Sequence, residues 1–340
     1  MHVAGIDAHT TYVVVAVVSN DGRVAQKPVR IRNHEAERLR DVLSPFHPLE
    51  VVVEASPSWP WLYDLLDGPE CRFVLAHPKK LRAIAEANYK NDALDATLLA
   101  RMRVVNLIPE VYCKSIEQRE QATLVRHRAR LSRLRNQAAS RIHAELHSVG
   151  LSLPRGRLLT ARGRAWVHTT AWPLLGPEQQ RLVRTHERIA DGLKRFMKGL
   201  DRRIREIGEE IPAVALLQTV PGIGPYRGLL MATEVLPIRR FRTPAHLVSY
   251  AGLAPRSSRS GQVVRYGPIP AGANRWLRNA FVQAVTVHVR RAPDSWLSQY
   301  YHQLKERRDW RVARIATARK LARAVHAMLR SDEVWHPCLT

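Results

Sequence analysis

The chain opens with three strand patterns in succession and then alternates strand with helix, an order that few architectures accommodate. His2 to Asp7 reads as a short strand ending in an acid, and Tyr12 to Val18 is a β-branched run. Asn20-Asp21-Gly22 is a hairpin turn from which Val24 to Ile31 pairs back. His34 to Leu43 is amphipathic and helical. Glu50 to Glu54 is a strand that again ends in an acid, and Trp59 to Leu66 forms a helix after Pro57. Arg72 to Ala76 is almost continuously apolar, as expected of a strand buried in a parallel part of a sheet, and His77-Pro78 stops it. Helices follow over Lys79 to Ala87 and after Asn91, a good N-cap ahead of apolar Ala93, Leu94, Leu98 and Leu99. The pattern specifies an α/β domain with a sheet of mixed pairing.

The acids acquire meaning from that order. Alone, Asp7 is a strand-end turn residue, Glu54 a solvent acid, and Asp92 with Asp95 an acidic first helical turn. Asp7 and Glu54, however, close strands that can neighbour each other, at the carboxyl edge where open α/β sheets place their sites. Burying either carboxylate without a partner costs several kcal/mol, so each needs a cation or hydrogen-bond donors. Asp92 and Asp95 stand three apart, so both carboxylates leave one face of their helix, which can pack across the same edge. The set Asp7, Glu54, Asp92 and Asp95 is what a ribonuclease-H-like fold uses to hold one or two Mg²⁺ ions against a phosphodiester.

Charge narrows the partner. Lys and Arg total 54 against 30 Asp and Glu in 340 residues, a formal net charge of +24. Such a field favours a polyanion, usually nucleic acid and less often an anionic membrane surface. No apolar run approaches a membrane span, and Met1 leads straight into a strand. The three cysteines (Cys71, Cys113 and Cys338) match no zinc pattern and suit a reducing cytoplasm.

From about Ser115 to Val149 the chain reads as one long helix, with Leu124, Leu131, Leu134, Ala138, Ile142 and Leu146 at near-heptad spacing. Residues 154 to 180 carry Pro154, Gly156, Gly163, Pro173, Gly176 and Pro177, which argue against any long element there. A second helix over about Pro177 to Ile211 repeats Ile189, Leu193, Phe196, Leu200, Ile204 and Ile207, so the two can pair as an antiparallel coiled-coil arm. Arginines on the first helix, Arg128 and Arg135 among them, suit phosphate contacts or a partner helix carrying acids. The division expected is 1–114, 115–211 and 212–340, the last segment small and mostly helical.

In that last segment, Pro221-Gly222-Ile223-Gly224 joins two helices. A glycine turn with free N–H groups at a helix start, through Gly222 and Gly224, is the helix-hairpin-helix form of DNA contact; a plain interhelical turn is the alternative. Gly252 to Gly261 reads as a basic loop holding Ser257, Ser258 and Ser260, with a short strand over Gln262 to Tyr266. Asn274 to Val289 is an amphipathic helix opened by Arg275 and Arg278, further candidates for phosphate contact. Serines in such a loop usually mark a turn, since a nucleophilic serine needs a base, a metal or strong positive charge. Arg256, Arg259 and Arg265 can supply that charge to a phosphorane-like transition state.

In order, Gly5-Ile6-Asp7, Val53-Glu54-Ala55, Lys90-Asn91-Asp92 with Asp95-Ala96, Pro221-Gly222-Ile223-Gly224, Gly252-Leu253-Ala254-Pro255-Arg256, Ser260-Gly261 and Asn274-Arg275 with Leu277-Arg278 resemble the DEDD transposases of the IS110 insertion sequences, the bridge-RNA-guided recombinases. The resemblance spans nearly the whole chain. It implies a RuvC-like domain, a coiled-coil arm and a carboxyl-terminal transposase domain, with Asp7, Glu54, Asp92 and Asp95 as Mg²⁺ ligands. It also implies Ser260 as the nucleophile that becomes joined to a DNA 5′ phosphate. Two departures stand out: Ser56-Pro57 where the family commonly has Thr-Gly, and Pro270-Ala271 where it commonly has Ser or Thr followed by Lys. The expected activity is Mg²⁺-dependent cleavage and exchange of double-stranded DNA through a phosphoserine, guided by a structured non-coding RNA. The working form expected is a dimer, or a tetramer in the synaptic complex, in the cytoplasm at the nucleoid, with an active site shared between subunits. The alternatives are a hydrolytic RuvC-like junction nuclease and a nucleic-acid-binding protein with a decayed site.

Overall fold

The computed structural model describes residues 1–84, 92–153, 158–255, 257–260, 263–267 and 272–338, with the backbone alone at 83, 92–94, 257–260 and 263–266. These residues form two compact units, Met1–Ile116 and Glu117–Thr340.

The first unit contains β1 (His2–Ala8), β2 (Tyr12–Ser19), β3 (Val24–Arg32), α1 (Ala36–Leu43), β4 (Leu49–Glu54), α2 (Trp59–Leu66), β5 (Cys71–Ala76), α3 (Pro78–Ile84), α4 (Asp92–Val104) and β6 (Glu110–Val111). Its sheet runs β3-β2-β1-β4-β5-β6. The β1–β2 and β2–β3 pairs are antiparallel, β4 lies parallel to both β1 and β5, and β6 closes the edge antiparallel. This mixed sheet is consistent with a ribonuclease-H-like α/β domain. Alternation along the strands divides the core between two faces. Ala4, Ile6, Val51, Val53, Phe73 and Leu75 pack with Leu39 and Leu43 of α1 and Leu62 and Leu66 of α2. Val3, Val18, Val52 and Val74 pack on the other face with Leu99, Ala100 and Met102 of α4.

The second unit begins with α5 (Ile116–Ser148), α6 (Ala161–Trp166) and α7 (Pro177–Glu209). The helices α5 and α7 run antiparallel: Gln179 Nε2 donates to Ser148 Oγ at 2.8 Å, and Arg128 meets Asp201 at the other end. The stretch expected to hold no long element has only short ones: a helix over Ala161–Trp166, a wider π turn over Val167–Ala171 and a tighter 3₁₀ turn over Trp172–Leu174. It closes a small core of Ile142, Leu146, Leu158, Val167, Ala171, Leu175 and Val183. The expected apolar stripes are only partly buried. Ala138, Ile142, Leu146 and Ile204 are buried as expected, but Leu134, Ile189 and Phe196 are 48%, 47% and 69% exposed, and on α7 Val183 and Ala190 take buried positions outside the stripe.

The unit continues with α8 (Pro212–Gln218), α9 (Pro225–Val235), α10 (Pro244–Tyr250), a β7 (Ser257–Ser260) and β8 (Val263–Tyr266) hairpin, α11 (Arg275–Arg291), α12 (Trp296–Arg307) and α13 (Trp310–Ser331). One core built on Leu217, Leu229, Phe281, Val285, Leu321 and Val325 also takes in Val125 of α5 and Ile204 of α7, so the base of the helix pair packs with the carboxyl-terminal helices. No helix among the described residues is long and apolar enough to cross a membrane.

Candidate active site

Asp7 and Glu54 are brought to one edge by strand register. Ile6 pairs with Val53 across the parallel β1–β4 ladder, so Asp7 and Glu54 each stand one step beyond it. By alternation they share a face with Val3 and Val52, the face that α4 covers. The direction of α4 follows from two observations. A Cβ built on Gly5 would stand 1.9 Å from the Ala96 carbonyl oxygen and 2.8 Å from the Ala100 nitrogen, so only glycine lets β1 and α4 approach this closely. At the far end of the helix, Arg103 reaches Glu50 near the start of β4, Nε to Oε2 at 2.5 Å and Nη2 to Oε1 at 3.1 Å. With its last turn at the start of β4, α4 begins at the carboxyl edge, and its first turn carries Asp92 and Asp95.

The acids on this face differ in how they are satisfied. Glu50 is buried and neutralised, since Arg72 also binds its Oε1 at 2.7 Å. The Arg103 hydrogen bond and charge hold its carboxyl below the ordinary value and raise the guanidinium in return. Asp7 Oδ2 lies 3.0 Å from His9 Nε2, and His9 stacks on Tyr12 with centroids 4.4 Å apart. Glu54 and Asp95 are half-buried, and their carboxylates have neither hydrogen bond nor ion pair among the described residues. Carboxylates at two strand ends and a helix start are hard oxygen donors, the chemistry that a divalent metal takes. Among the described residues no three His, Cys, Asp or Glu side chains form a closed metal-holding group. The Asp92 side chain lies outside the described residues, as does Asn91, the expected N-cap.

Ser260 pairs in register with Val263 at the turn end of the β7–β8 hairpin, and Ser258 pairs with Arg265. The segment expected as a loop is therefore a strand. The side chains of Ser257, Ser258, Arg259, Ser260 and Arg265 lie outside the described residues, as do Arg256, Gly261, Pro270 and Ala271 entirely. The flanks of the hairpin are firmly held. Asn274 caps α11 by accepting from the Trp276 and Leu277 N–H groups, and its Nδ2 donates to buried Glu234 at 2.9 Å. Arg126 pairs with the other Glu234 oxygen. Sequence reasoning passed over Glu234, although a lone acid within the apolar run Leu229 to Val235 was a usable signal; His9, two residues after Asp7, was another.

The Pro221–Gly224 turn is pinned from three sides. Gly222 has φ +104°, and a Cβ there would meet the Ala284 carbonyl oxygen at 2.5 Å. His288, fully buried, donates Nδ1–H to the Pro221 carbonyl at 2.8 Å and receives the Ser295 hydroxyl on Nε2 at 2.7 Å. Burial lowers its pKa, partly offset by the Pro221 bond. Arg227 donates to the Gly222 carbonyl at 3.0 Å, and burial lowers its pKa as well. Gly224 is the N-cap of α9. Among the other arginines, Arg275 is exposed and Arg278 half-buried at the start of α11. Arg128 makes a two-pronged pair with Asp201 at 2.8 and 3.1 Å and lies over the Tyr226 ring, so the acid of a partner helix occupies it. Arg135 Nε is buried without a hydrogen-bond partner among the described residues.

A mixed sheet with Asp7 and Glu54 at neighbouring strand ends belongs to the ribonuclease-H-like class of α/β domains, and sequence comparison narrows it. Residues 4–150 match the DEDD transposase model of IS110, and residues 214–302 match the model described as transposase IS116/IS110/IS902 family. A probable family 20 transposase of Pseudomonas aeruginosa is 26% identical over 90% of this chain and 91% of its own. The transposase for insertion sequence element IS1111A of Coxiella burnetii is 27% identical over 84% and 79%. The transposase for element IS1328 of Yersinia enterocolitica is 26% identical over 73% and 74%. The chain belongs to the IS116/IS110/IS902 family of transposases.

Proposed function

We propose that the protein moves an insertion sequence by Mg²⁺-dependent cleavage and exchange of double-stranded DNA through a covalent phosphoserine. What carries the reading is the edge where Asp7 and Glu54 meet the first turn of α4 while Glu54 and Asp95 remain unpaired among the described residues. Asp7, Glu54, Asp92 and Asp95 would hold the ion, which supplies charge stabilisation to the oxygens entering and leaving phosphorus. His9 holds the Asp7 carboxylate in place. The Ser260 hydroxyl loses its proton and attacks phosphorus, a Ser–O–P bond forms to the 5′ phosphate, and the 3′ oxygen leaves and is protonated. A 3′ hydroxyl of the exchanged strand then reverses the step, so the bond energy is kept without ATP. Arg256, Arg259 and Arg265 would neutralise charge around that phosphorus.

In this account residues 1–114 hold the metal, 115–211 form a coiled-coil arm, and 212–340 deliver the serine and grip DNA backbone through the Gly222–Gly224 turn and the start of α11. Exposed Leu182, Ile189 and Phe196, spaced by sevens along α7, support pairing with a second copy, and hence an active site shared between subunits. Guidance by a structured RNA follows from the family resemblance and is compatible with the +24 charge. The reaction places the protein in the cytoplasm with the nucleoid.

Trapping on a suicide DNA substrate tests the reading. Ser260→Ala should abolish the covalent adduct while thermal unfolding stays unchanged, and Asp92→Ala should abolish it too. An adduct that survives Ser260→Ala overturns the serine assignment. Cutting that survives Ser260→Ala and dies with Asp92→Ala overturns strand exchange in favour of hydrolysis.

A further inference from the structure

The first unit carries a second cluster of charged groups beside Asp7. A cleft of about 720 Å³ is lined by Thr11, Tyr12, Arg30, Arg32, His34, Glu35 and Arg38. Three guanidinium groups and an imidazole here face a single carboxylate. That carboxylate is already committed, since Glu35 accepts the Arg32 N–H at 2.9 Å and Arg38 Nη1 at 3.3 Å. Arg30 and Arg32 have no ion-pair partner among the described residues. An apolar ligand pocket of this size is lined mainly by hydrophobic side chains, so this lining points to a polyanion.

The cleft is rigidly joined to the acidic edge. Tyr12 opposes Arg32 and Val14 opposes Arg30 across the β2–β3 ladder, while Asp7 opposes Val14 on the other side. The Arg30 guanidinium carbon lies 3.5 Å from the centre of the Tyr12 ring. His9 stacks on that ring at 4.4 Å, which requires the opposite face, and bonds Asp7 at 3.0 Å. Asn33 Nδ2 donates to the carbonyls of His9 and Thr10 at 3.2 and 3.0 Å, tying the β1–β2 turn to the end of β3. With both faces of Tyr12 covered, its ring cannot stack a base, so recognition falls to the arginines and reads phosphate.

We propose that Arg30 and Arg32 bind consecutive phosphates of the DNA strand that runs to the Asp7–Glu54 edge, holding it in register for cleavage. The proposal rests on the functional reading above for the identity of the strand, and its test does not require cleavage. Arg32→Gln, and Arg30→Gln with Arg32→Gln, are prepared in the full chain and compared with wild type by anisotropy on random-sequence duplex DNA in EDTA across a salt series. A matched series uses duplex RNA. Each lost phosphate contact lowers the slope of log affinity against log salt by about 0.9, so the double variant should lose about 1.8 on DNA. The unfolding midpoint of Arg32→Gln should match wild type, because that side chain is exposed. Unchanged DNA slope and affinity overturn the proposal, and so does a loss confined to RNA. A wild-type protein that shows this DNA slope but never cuts DNA would overturn the functional reading and leave the cleft assignment standing.

Discussion

Replacing Gly5 by alanine tests how α4 is seated over the sheet. The new Cβ would lie 1.9 Å from the Ala96 carbonyl oxygen and 2.8 Å from the Ala100 nitrogen, against a floor of 3.0 Å for real contacts, so strand and helix must separate by at least 1.1 Å. Both obstacles are backbone, and no side-chain rotation relieves them. Overpacking of this kind costs about 1–3 kcal/mol of stability. The shift also carries Asp95, next to Ala96, away from Asp7 and Glu54, and a misplacement of about 1 Å in a reacting constellation can cost about a hundredfold in rate. Gly68→Ala serves as control, because a Cβ there meets nothing within 4 Å. Urea unfolding and Mg²⁺-dependent strand cleavage are measured on both. Gly5→Ala should fall by the amounts above and Gly68→Ala by neither. A Gly5→Ala protein within about 0.5 kcal/mol and threefold of wild type would refute the seating of α4 and with it the placement of Asp92 and Asp95.

Two further perturbations probe the supports of the site. Glu50→Gln leaves Glu110, 2.8 Å from Arg103 Nη1, as the remaining carboxylate on that guanidinium, and should cost about 1–3 kcal/mol at neutral pH. Because the folded carboxyl titrates below its ordinary value of 4.5, its contribution is present above that value and fades as pH falls through the lower folded one. The gap between wild type and variant in urea unfolding should therefore narrow in acid, and a gap independent of pH would contradict the ion pair. His288 has the opposite acid–base character: burial keeps it neutral, so below its ordinary value of 6.5 the unfolded chain takes up a proton that the folded chain does not. Stability should fall with decreasing pH there, by at most about 1.4 kcal/mol per unit from this group. His288→Gln should flatten the slope whatever its effect at pH 8, and an unaltered slope would show that His288 is not the group responsible.

Local chemistry made much of the first unit legible. The β-branched run from Tyr12, the Asn20-Asp21-Gly22 turn and the Trp59–Leu66 helix each follow from residue type, and the structure has them where the pattern puts them. The two-residue strand Glu110–Val111 is too short to show a period, and it forms because β5 offers it an edge. Ser257 to Ser260 has little strand propensity, so its pairing with Val263 to Tyr266 depends on the partner strand, whose β-branched residues carry the signal. Residues 161 to 174 are helical despite Gly163 and Pro173, because Val167 and Ala171 bury against Ile142 and Leu146. In the long helices, heptad counting marked Ala138, Ile142 and Leu146 correctly but also Ile189 and Phe196, whereas Val183 and small Ala190 occupy the buried contact on α7. In the candidate site, Asp7 and Glu54 could be placed from strand ends alone. The difference between Glu50, neutralised by Arg103, and Glu54, unpaired among the described residues, depends on the direction of α4, which no local pattern encodes.

The central claim is that a serine hydroxyl, activated at an acidic metal edge, takes the DNA phosphate. Digesting the trapped protein–DNA adduct and sequencing its peptides by mass spectrometry, with Mg²⁺ and again with EDTA, asks this directly. The account predicts a nucleotide linked through its 5′ phosphate to Ser260, formed with Mg²⁺ and absent in EDTA. A linkage at another residue, or one that forms equally well in EDTA, would contradict it.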